Sequence, residues 1–216
     1  MHMRESTTGY LEIIYGPMKS GKTSRLLQLY KQFKFCEIPV MVINHCKDTV
    51  HSDTQLSSHD KIMIPCIQAN KLTDLINFSQ EHDKEQEQQQ EQQQEQQQEQ
   101  QQQHKQFTNA KVILINEAHF FDDIVPWVTT AVEKYKKNVY ICGLNSDFKR
   151  QPFGNWLDLQ QICDKVTHLH SWCGVCKKQQ ALFSHRLSGE TDKIVIGADN
   201  YSPVCRTCWL DLNILL

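Results

Sequence analysis

The 216-residue sequence lacks three features, and each absence narrows the class of protein it can be. The polar N-terminal residues 1–9 contain no apolar stretch of the signal-peptide type, so we expect a cytoplasmic protein. No apolar run approaches the ~18 residues of a membrane span, so we expect no membrane partner. The sequence also lacks a strong positive charge: the net charge is −2, so the composition does not indicate a nucleic-acid partner.

Much of the acidic charge lies in a segment rich in glutamine and glutamate. Residues 80–106 contain seven acidic residues and two lysines, a net charge of −5, which leaves +3 for the rest of the chain. Glutamate recurs at every fourth position from Glu87 to Glu99, which on a helix would align like charges. We interpret the segment as an insertion in a surface loop, either an exposed helix or disordered, with no catalytic role.

Between residues 9 and 170, short apolar runs alternate with helical patterns. The runs predict strands at 11–15, 40–44, 111–116, 138–143 and 166–170. Helices are predicted at 23–34, at 71–78, from Pro126 onward and at 155–164, and residues 48–60 are predicted to form a loop. Continuous apolar strands alternating with helices predict an α/β core, 9–170, built on a parallel sheet covered on both faces.

The first predicted strand runs into a phosphate-binding loop of the form GxxxxGK[ST]. The matching residues are Gly16, Pro17, Met18, Lys19, Ser20, Gly21, Lys22 and Thr23. The glycines let the backbone curl so that N–H groups face one concavity, and the following helix adds partial positive charge. Lys22 would reach the β- and γ-phosphates of ATP, and Thr23 would offer its hydroxyl to Mg²⁺. A strand before the loop and an amphipathic helix after it make a chance match improbable.

The strand at 111–116 ends where a P-loop protein places an acid near Mg²⁺. Asn116 occupies that position, so the side chain offers a carbonyl oxygen but no charge. Glu117 follows directly, and we interpret it as the general base that takes a proton from an attacking hydroxyl. The alternative is that Glu117 is a solvated acid at a strand end.

Two CxxC pairs near the C-terminus predict a metal site. Cys173, Cys176, Cys205 and Cys208 would hold a structural Zn²⁺ in a tetrahedral site and staple the loop between them, within a small subdomain at 171–210. A redox-active dithiol is the alternative. The remaining cysteines are predicted to be buried small apolar residues; they are Cys36, Cys46, Cys66, Cys142 and Cys163.

Six motifs, taken together and in order, resemble the thymidine kinase family of cellular and poxviral type. They are GPMKSGKT (16–23), CKDT (46–49), NEAHFF (116–121), GLNSDFKRQPFG (143–154), the first CxxC pair (173–176) and IGADNYSPVCRTC (196–208). The resemblance covers residues 9–209 apart from the glutamine-rich insertion. It implies ATP-dependent phosphorylation of the 5′-hydroxyl of thymidine or deoxyuridine, in a homotetramer that the triphosphate end product inhibits.

The resemblance also implies roles for individual residues. Glu117 is similar to the family's catalytic base, and Arg150 is in a basic position that could steady phosphate charge. The implied wall of the nucleoside pocket consists of Met18, Phe120, Leu144, Phe148 and Phe153. Tyr201 would close the pocket near the sugar, and Ser184 would lie near the base within the family's lasso loop.

Three residues depart from the family pattern. Asn116 replaces an aspartate, Val50 replaces an arginine, and His119 replaces a glutamine. Lys47 or His51 could replace the missing arginine charge. Since phosphoryl transfer depends on electrostatic stabilisation, these changes bear more on turnover than on binding.

Three functions are therefore weighed. The first is an active thymidine kinase, supported by Glu117, Lys22 and Thr23. The second is a nucleotide-binding homologue with impaired catalysis that acts as a sensor or interaction protein, which Asn116 and Val50 favour. The third, a zinc-ribbon nucleic-acid binder with an ATPase core, is disfavoured because acids intersperse the bases between the CxxC pairs.

Overall fold

The computed structural model describes residues 8–48, 55–57, 62–76, 78, 92–190, 192 and 200–213, with the side chains of 92–100 excepted. Several residues named above lie outside these ranges, including Thr49, Val50, His51 and residues 196–199. The glutamine-rich residues 86–91 also lie outside them.

Six parallel strands form the central sheet. In chain order they are β1 (Tyr10–Tyr15), β2 (Val40–His45), β5 (Ile67–Ala69), β6 (Val112–Ile115), β7 (Asn138–Gly143) and β8 (Lys165–His168), and their order across the sheet is β5-β2-β6-β7-β1-β8. The strands at the centre of the sheet are buried on both faces, as their uninterrupted apolar sequences predict.

Helices cover both faces of the sheet. Helix α1 (Lys22–Phe35) packs on one face with a hairpin of β3 (Gln55–Ser57) and β4 (Met63–Pro65). The opposite face carries two α-helices, the C-terminal end of a third α-helix, and a 3₁₀ helix. These are α2 (Leu72–Leu75), the C-terminal end of α3 (Gln92–Asn109), α4 (Ile124–Glu133) and the 3₁₀ helix Trp156–Gln161. The apolar layers on the two faces confirm the predicted α/β architecture.

The glutamine-rich segment joins the core through the C-terminal end of α3. Phe107 is 2% exposed and packs edge-on against Trp127 and Tyr135. The buried Lys137 ammonium donates to the carbonyl oxygens of Phe107, Thr108 and Ala110 at 2.8, 3.1 and 2.7 Å. A cation there satisfies carbonyls that the helix end leaves unpaired and complements the helix dipole. Of the two alternatives for the glutamine-rich segment, an exposed helix or disorder, the structure has a helix over residues 92–109.

The C-terminal segment forms a small satellite of two hairpins and a helix. Strand β9 (Ser171–Trp172) pairs with β10 (Gln180–Ala181), and β11 (Phe183–Arg186) pairs with β12 (Tyr201–Val204), both antiparallel. Helix α5 (Arg206–Asn213) follows. The apolar contacts of the whole C-terminal segment centre on the four CxxC cysteines, Val204, Phe183 and Trp209. So little apolar core is consistent with a segment that a metal ion staples.

Three local predictions were wrong. The loop predicted at 48–60 contains β3, and β5 was not predicted, because three-residue strands carry too little periodicity to read. The helix predicted at 155–164 is a shorter 3₁₀ helix, and Asn155 makes no side-chain cap. Cys36 was predicted to be buried but is exposed, since it lies just beyond the last turn of α1.

Replacing Lys137 with Met should lower the free energy of unfolding by about 3 kcal/mol, because buried carbonyls at the end of α3 lose a charged donor. Urea denaturation followed by circular dichroism measures the change. Lys111→Met removes an exposed ammonium nearby and should leave the free energy within about 0.5 kcal/mol. Equal effects of the two substitutions would contradict the anchoring of α3 by Lys137.

Candidate active site and metal centre

The phosphate loop joins β1 to α1, as predicted. Position 16 requires glycine, because a Cβ there would come within 2.2 Å of the Leu169 carbonyl oxygen. Gly21 has φ of 83°, in the left-handed region. Lys22 is buried, and its ammonium donates to the carbonyl oxygens of Gly16 and Pro17 at 3.1 and 2.8 Å. Burial lowers the pKa of Lys22, and the nearby Glu117 carboxylate opposes that shift.

Glu117 lies just past the end of β6 in a strained backbone conformation. Its φ and ψ of 52° and 41° are left-handed, which is uncommon for a residue with a side chain. The side chain is 23% exposed. Burial, and next the Asp48 carboxylate, raise its pKa to about 7, whereas Lys22 acts in the opposite direction. A carboxyl group that titrates near neutrality suits a general base.

Glu117 contacts His119, but the contact is not an ion pair. The two side chains approach to 3.4 Å between Oε2 and Nδ1. Nδ1 of His119 accepts the backbone N–H of Leu144 at 3.2 Å, so the proton of the neutral ring is on Nε2. Burial, and next the charge of Lys22, hold the pKa of His119 well below its usual range. Two acceptors therefore face each other when Glu117 is ionised, which also favours a protonated Glu117.

Asn116 connects the ends of neighbouring strands through its amide. Its Oδ1 accepts the Thr23 hydroxyl at 3.4 Å and the Cys142 thiol at 3.0 Å. Its Nδ2 donates to Asn44 Oδ1 at 2.9 Å and to Asp48 Oδ2 at 3.5 Å. The side chain that replaces the expected acid is therefore fully buried in a polar network.

Asp48 is a site residue that the sequence reasoning missed. It follows β2, and Asn44 Nδ2 donates to its carboxylate at 3.2 Å. β2 and β6 are parallel neighbours, so residues just past their carboxyl ends lie together. Because Asp48 belongs to the CKDT motif, its position in the motif combined with the strand order was the signal that could have found it. The site thus has a carboxylate beside Asn116 that comes from the adjacent strand.

Aromatic side chains predicted for the nucleoside pocket cluster around His119. Its ring lies 4.1 Å from Phe120 and 4.4 Å from Phe153, and these two phenylalanines meet edge to face at 5.5 Å. The backbone N–H of Leu144, another predicted wall residue, donates to the same imidazole, and its carbonyl oxygen accepts the indole N–H of Trp156. The structure therefore brings three of the predicted wall residues together.

The other predicted substrate residues meet at the C-terminal hairpin. The Met18 N–H donates to the Ser184 hydroxyl at 2.9 Å, which joins the phosphate loop to β11. Phe148 and Tyr201 both contact Arg186, whose guanidinium lies 3.8 Å from the Phe148 ring centroid. Sequence reasoning gave no role to Arg186.

Arg150 lies between the core and the C-terminal segment. It is exposed, with a left-handed φ of 62°, and its guanidinium stacks 3.5 Å from the Trp209 ring centroid. It also lies 5.3 Å from the Phe183 ring. Arg150 therefore connects the core to the C-terminal segment, and its role toward phosphate stays a prediction.

The four CxxC cysteines converge, as the spacing predicts. Their sulfur atoms lie within 4.8 Å of one another, and the Cys176 and Cys205 sulfurs are 3.9 Å apart. Tetrahedral Zn–S bonds of about 2.3 Å would separate sulfurs by about 3.8 Å, so the arrangement fits a zinc ion. Cys173, Cys205 and Cys208 are buried. Four protein ligands leave no open position, which indicates a structural site.

A parallel sheet whose first strand runs into this loop defines a P-loop nucleotide-binding protein of the α/β class. The sequence profile of the thymidine kinase family matches residues 9–88 and 80–209, so the chain belongs to that family. The two matched stretches overlap at residues 80–88, at the start of the glutamine-rich segment.

Viral and bacterial relatives agree with this assignment. The chain is 32% identical to the thymidine kinase of Yaba monkey tumor virus, over 96% of this chain and 98% of that protein. It is 31% identical to the thymidine kinase of Choristoneura fumiferana entomopoxvirus, over 94% and 97%. It is 28% identical to that of Porphyromonas gingivalis, over 96% and 88%. Among the described residues, no helix has the length and apolar character needed to cross a membrane.

Replacing Cys208 with Ser should abolish stoichiometric zinc binding, because one of the four thiolate ligands is lost. Atomic absorption on the purified protein measures the metal content. Cys36→Ser removes an exposed thiol outside the cluster and should retain the full zinc content. Unchanged zinc in Cys208→Ser would rule out the four-cysteine site.

Proposed function

We propose that this chain carries out the reaction that names its family, ATP-dependent phosphorylation of the 5′-hydroxyl of thymidine or deoxyuridine to the monophosphate, with Glu117 as the general base. The observation that carries the proposal is the position of Glu117. Its carboxyl group titrates near neutrality beside Lys22 of the phosphate loop, past the carboxyl end of β6. Such an edge of a parallel sheet is where α/β proteins bind ligands.

In the proposed reaction, Glu117 takes the proton of the 5′-hydroxyl as that oxygen bonds to the γ-phosphorus of ATP. The bond from the γ-phosphorus to the bridging oxygen breaks, and ADP leaves. The contact with His119 Nδ1 supports this role, since an ionised Glu117 gains nothing from a second acceptor. Proton transfer from the hydroxyl removes that repulsion.

The phosphate loop would bind the ATP phosphates through its backbone N–H groups, with Lys22 turning from the loop carbonyls toward them. Oxygen atoms of Thr23, Asn116 and Asp48, whose side chains are linked by hydrogen bonds, would be the hard donors that hold Mg²⁺. Mg²⁺, when bound, neutralises charge on the phosphates. Arg150 could contribute to the same task only after leaving the Trp209 ring.

The nucleoside would bind among the aromatic side chains. Phe120 and Phe153 offer faces and edges on which a pyrimidine can pack, with Leu144 beside them. Ser184 accepts the Met18 N–H and keeps its own hydroxyl proton available for a substrate oxygen. Phe148 and Tyr201 would complete the pocket from the C-terminal side. Homotetrameric assembly, a cytoplasmic location and the lack of a nucleic-acid partner stay predictions that rest on the sequence and its family resemblance.

An impaired homologue that only binds nucleotides is the second candidate, and the uncharged Asn116 favours it. Asp48 opposes it, since it supplies a carboxylate in the same network. The two candidates differ in whether purified protein with ATP, Mg²⁺ and thymidine forms thymidine monophosphate. Binding of thymidine without turnover would support the impaired homologue.

The pH dependence of turnover tests Glu117 as the base. A base must be ionised, and its pKa is raised to about 7, so kcat/KM for thymidine should rise with pH and level off above a midpoint near 7. Rates measured from about pH 5.5 to 9 by a coupled assay give the midpoint. Glu117→Gln should retain nucleotide binding, lose turnover by a hundredfold or more, and lose this titration. A titrating, active Glu117→Gln enzyme would show that another group is the base.

Replacing Asn116 with Asp tests whether Asn116 and Asp48 together form the Mg²⁺ site. The substitution adds a second carboxylate beside Asp48, so the Mg²⁺ concentration for half-maximal activity should fall about tenfold. A titration of activity with Mg²⁺ at saturating substrates measures it. Asn138→Asp makes the same change at the opposite edge of the sheet and should leave the titration unchanged. An equal response in both variants would argue against metal binding beside Asn116.

A further inference from the structure

We propose that Arg186 is a positioning residue for thymidine: it holds Phe148 from the core and Tyr201 from the C-terminal hairpin in the arrangement that binds the nucleoside. The role in nucleoside binding rests on the proposed function. The structural part of the proposal, that Arg186 fixes these two aromatic side chains relative to each other, stands on the contacts alone.

Strand β11 presents one buried face to the rest of the protein. Its burial alternates along the strand: Ser184 is 4% and Arg186 is 5% exposed, whereas Phe183 and His185 are less buried. Ser184 accepts the N–H of Met18 in the phosphate loop. Arg186, two residues further on the same face, is therefore part of a strand that is already held against the ATP side of the site.

The guanidinium of Arg186 contacts both aromatic side chains at once. It lies 3.8 Å from the ring centroid of Phe148, close enough for a cation–π interaction. Its Nη2 donates to the Tyr201 hydroxyl at 2.7 Å, and Tyr201 is its direct cross-strand partner on β12. One planar group thus sets the distance between two side chains that are far apart in sequence.

The guanidinium is itself held in place from another side. Its Nη1 donates to the carbonyl oxygens of Glu190, at 3.0 Å, and Asp192. A fork of several donors in one plane can make these bonds, cover the Phe148 ring and still reach Tyr201. A lysine ammonium has three donors at a single point and no planar face, so it cannot replace the full set. The geometry therefore requires arginine rather than a positive charge.

Steady-state kinetics of Arg186→Lys and Arg186→Gln test the proposal. Both should raise KM for thymidine about tenfold, which corresponds to losing charged hydrogen bonds and one stacking contact, and leave KM for ATP within about twofold. Zinc content should stay at the parent value. Lys149→Gln is the matched control, since its ammonium also lies over the Phe148 ring, at 5.3 Å, but is exposed; it should change KM for thymidine less than twofold.

Two results would overturn the proposal. One is an unchanged KM for thymidine in a zinc-loaded Arg186→Lys enzyme, and the other is an equal rise in both KM values with loss of zinc, which marks a merely structural role. Hydrogen–deuterium exchange without any substrate separates this proposal from the proposed function. Faster exchange in the peptides containing Phe148 and Tyr201 supports positioning by Arg186 even if the parent protein lacks turnover. Unchanged exchange in Arg186→Lys contradicts it.

Discussion

The site depends on one side-chain amide, that of Asn116. It accepts from Thr23 on α1 and Cys142 on β7, and it donates to Asn44 on β2 and Asp48 just beyond that strand. A carboxylate in the same place could not donate, and it would repel Asp48. The amide therefore lets three strand ends and the helix after the phosphate loop approach closely, with one negative charge instead of two.

The charged and buried groups at the carboxyl end of the sheet shift one another's pKa values. Burial, and next the Asp48 carboxylate, raise the pKa of Glu117, and Lys22 opposes that rise; burial lowers the pKa of Lys22 itself. His119 stays neutral because burial and neighbouring cations disfavour its charged form. The neutral imidazole can then serve as a spacer between Glu117, Leu144 and the two phenylalanines. The charged groups that the proposed reaction uses are Lys22, Asp48 and Glu117, and the imidazole adds no charge to them.

Sequence reasoning predicted the features that local patterns encode. The five longer strands of the central sheet, the phosphate loop and the cysteine cluster each follow from short stretches of chain, and all are present. Asp48 was missed because its importance depends on which strand lies beside β6, and strand order is not a local property. Arg186 was missed for the same reason, since its contacts with Phe148 and Tyr201 exist only once the hairpin has packed against the core. Short elements such as β5 form through pairing with β2, so their own residues carry little signal.

Helix α3 is fixed at one end, and that has a consequence for how this sequence can change. Among the side chains that the structure describes, Phe107 packs into the core at the last turn, and Lys137 binds the carbonyls there. Each residue added toward the N-terminal end would lengthen a helix by about 1.5 Å without moving that anchor. We therefore expect that adding or removing glutamine residues in this helix changes the stability of the protein little and leaves the phosphate loop and Glu117 in place.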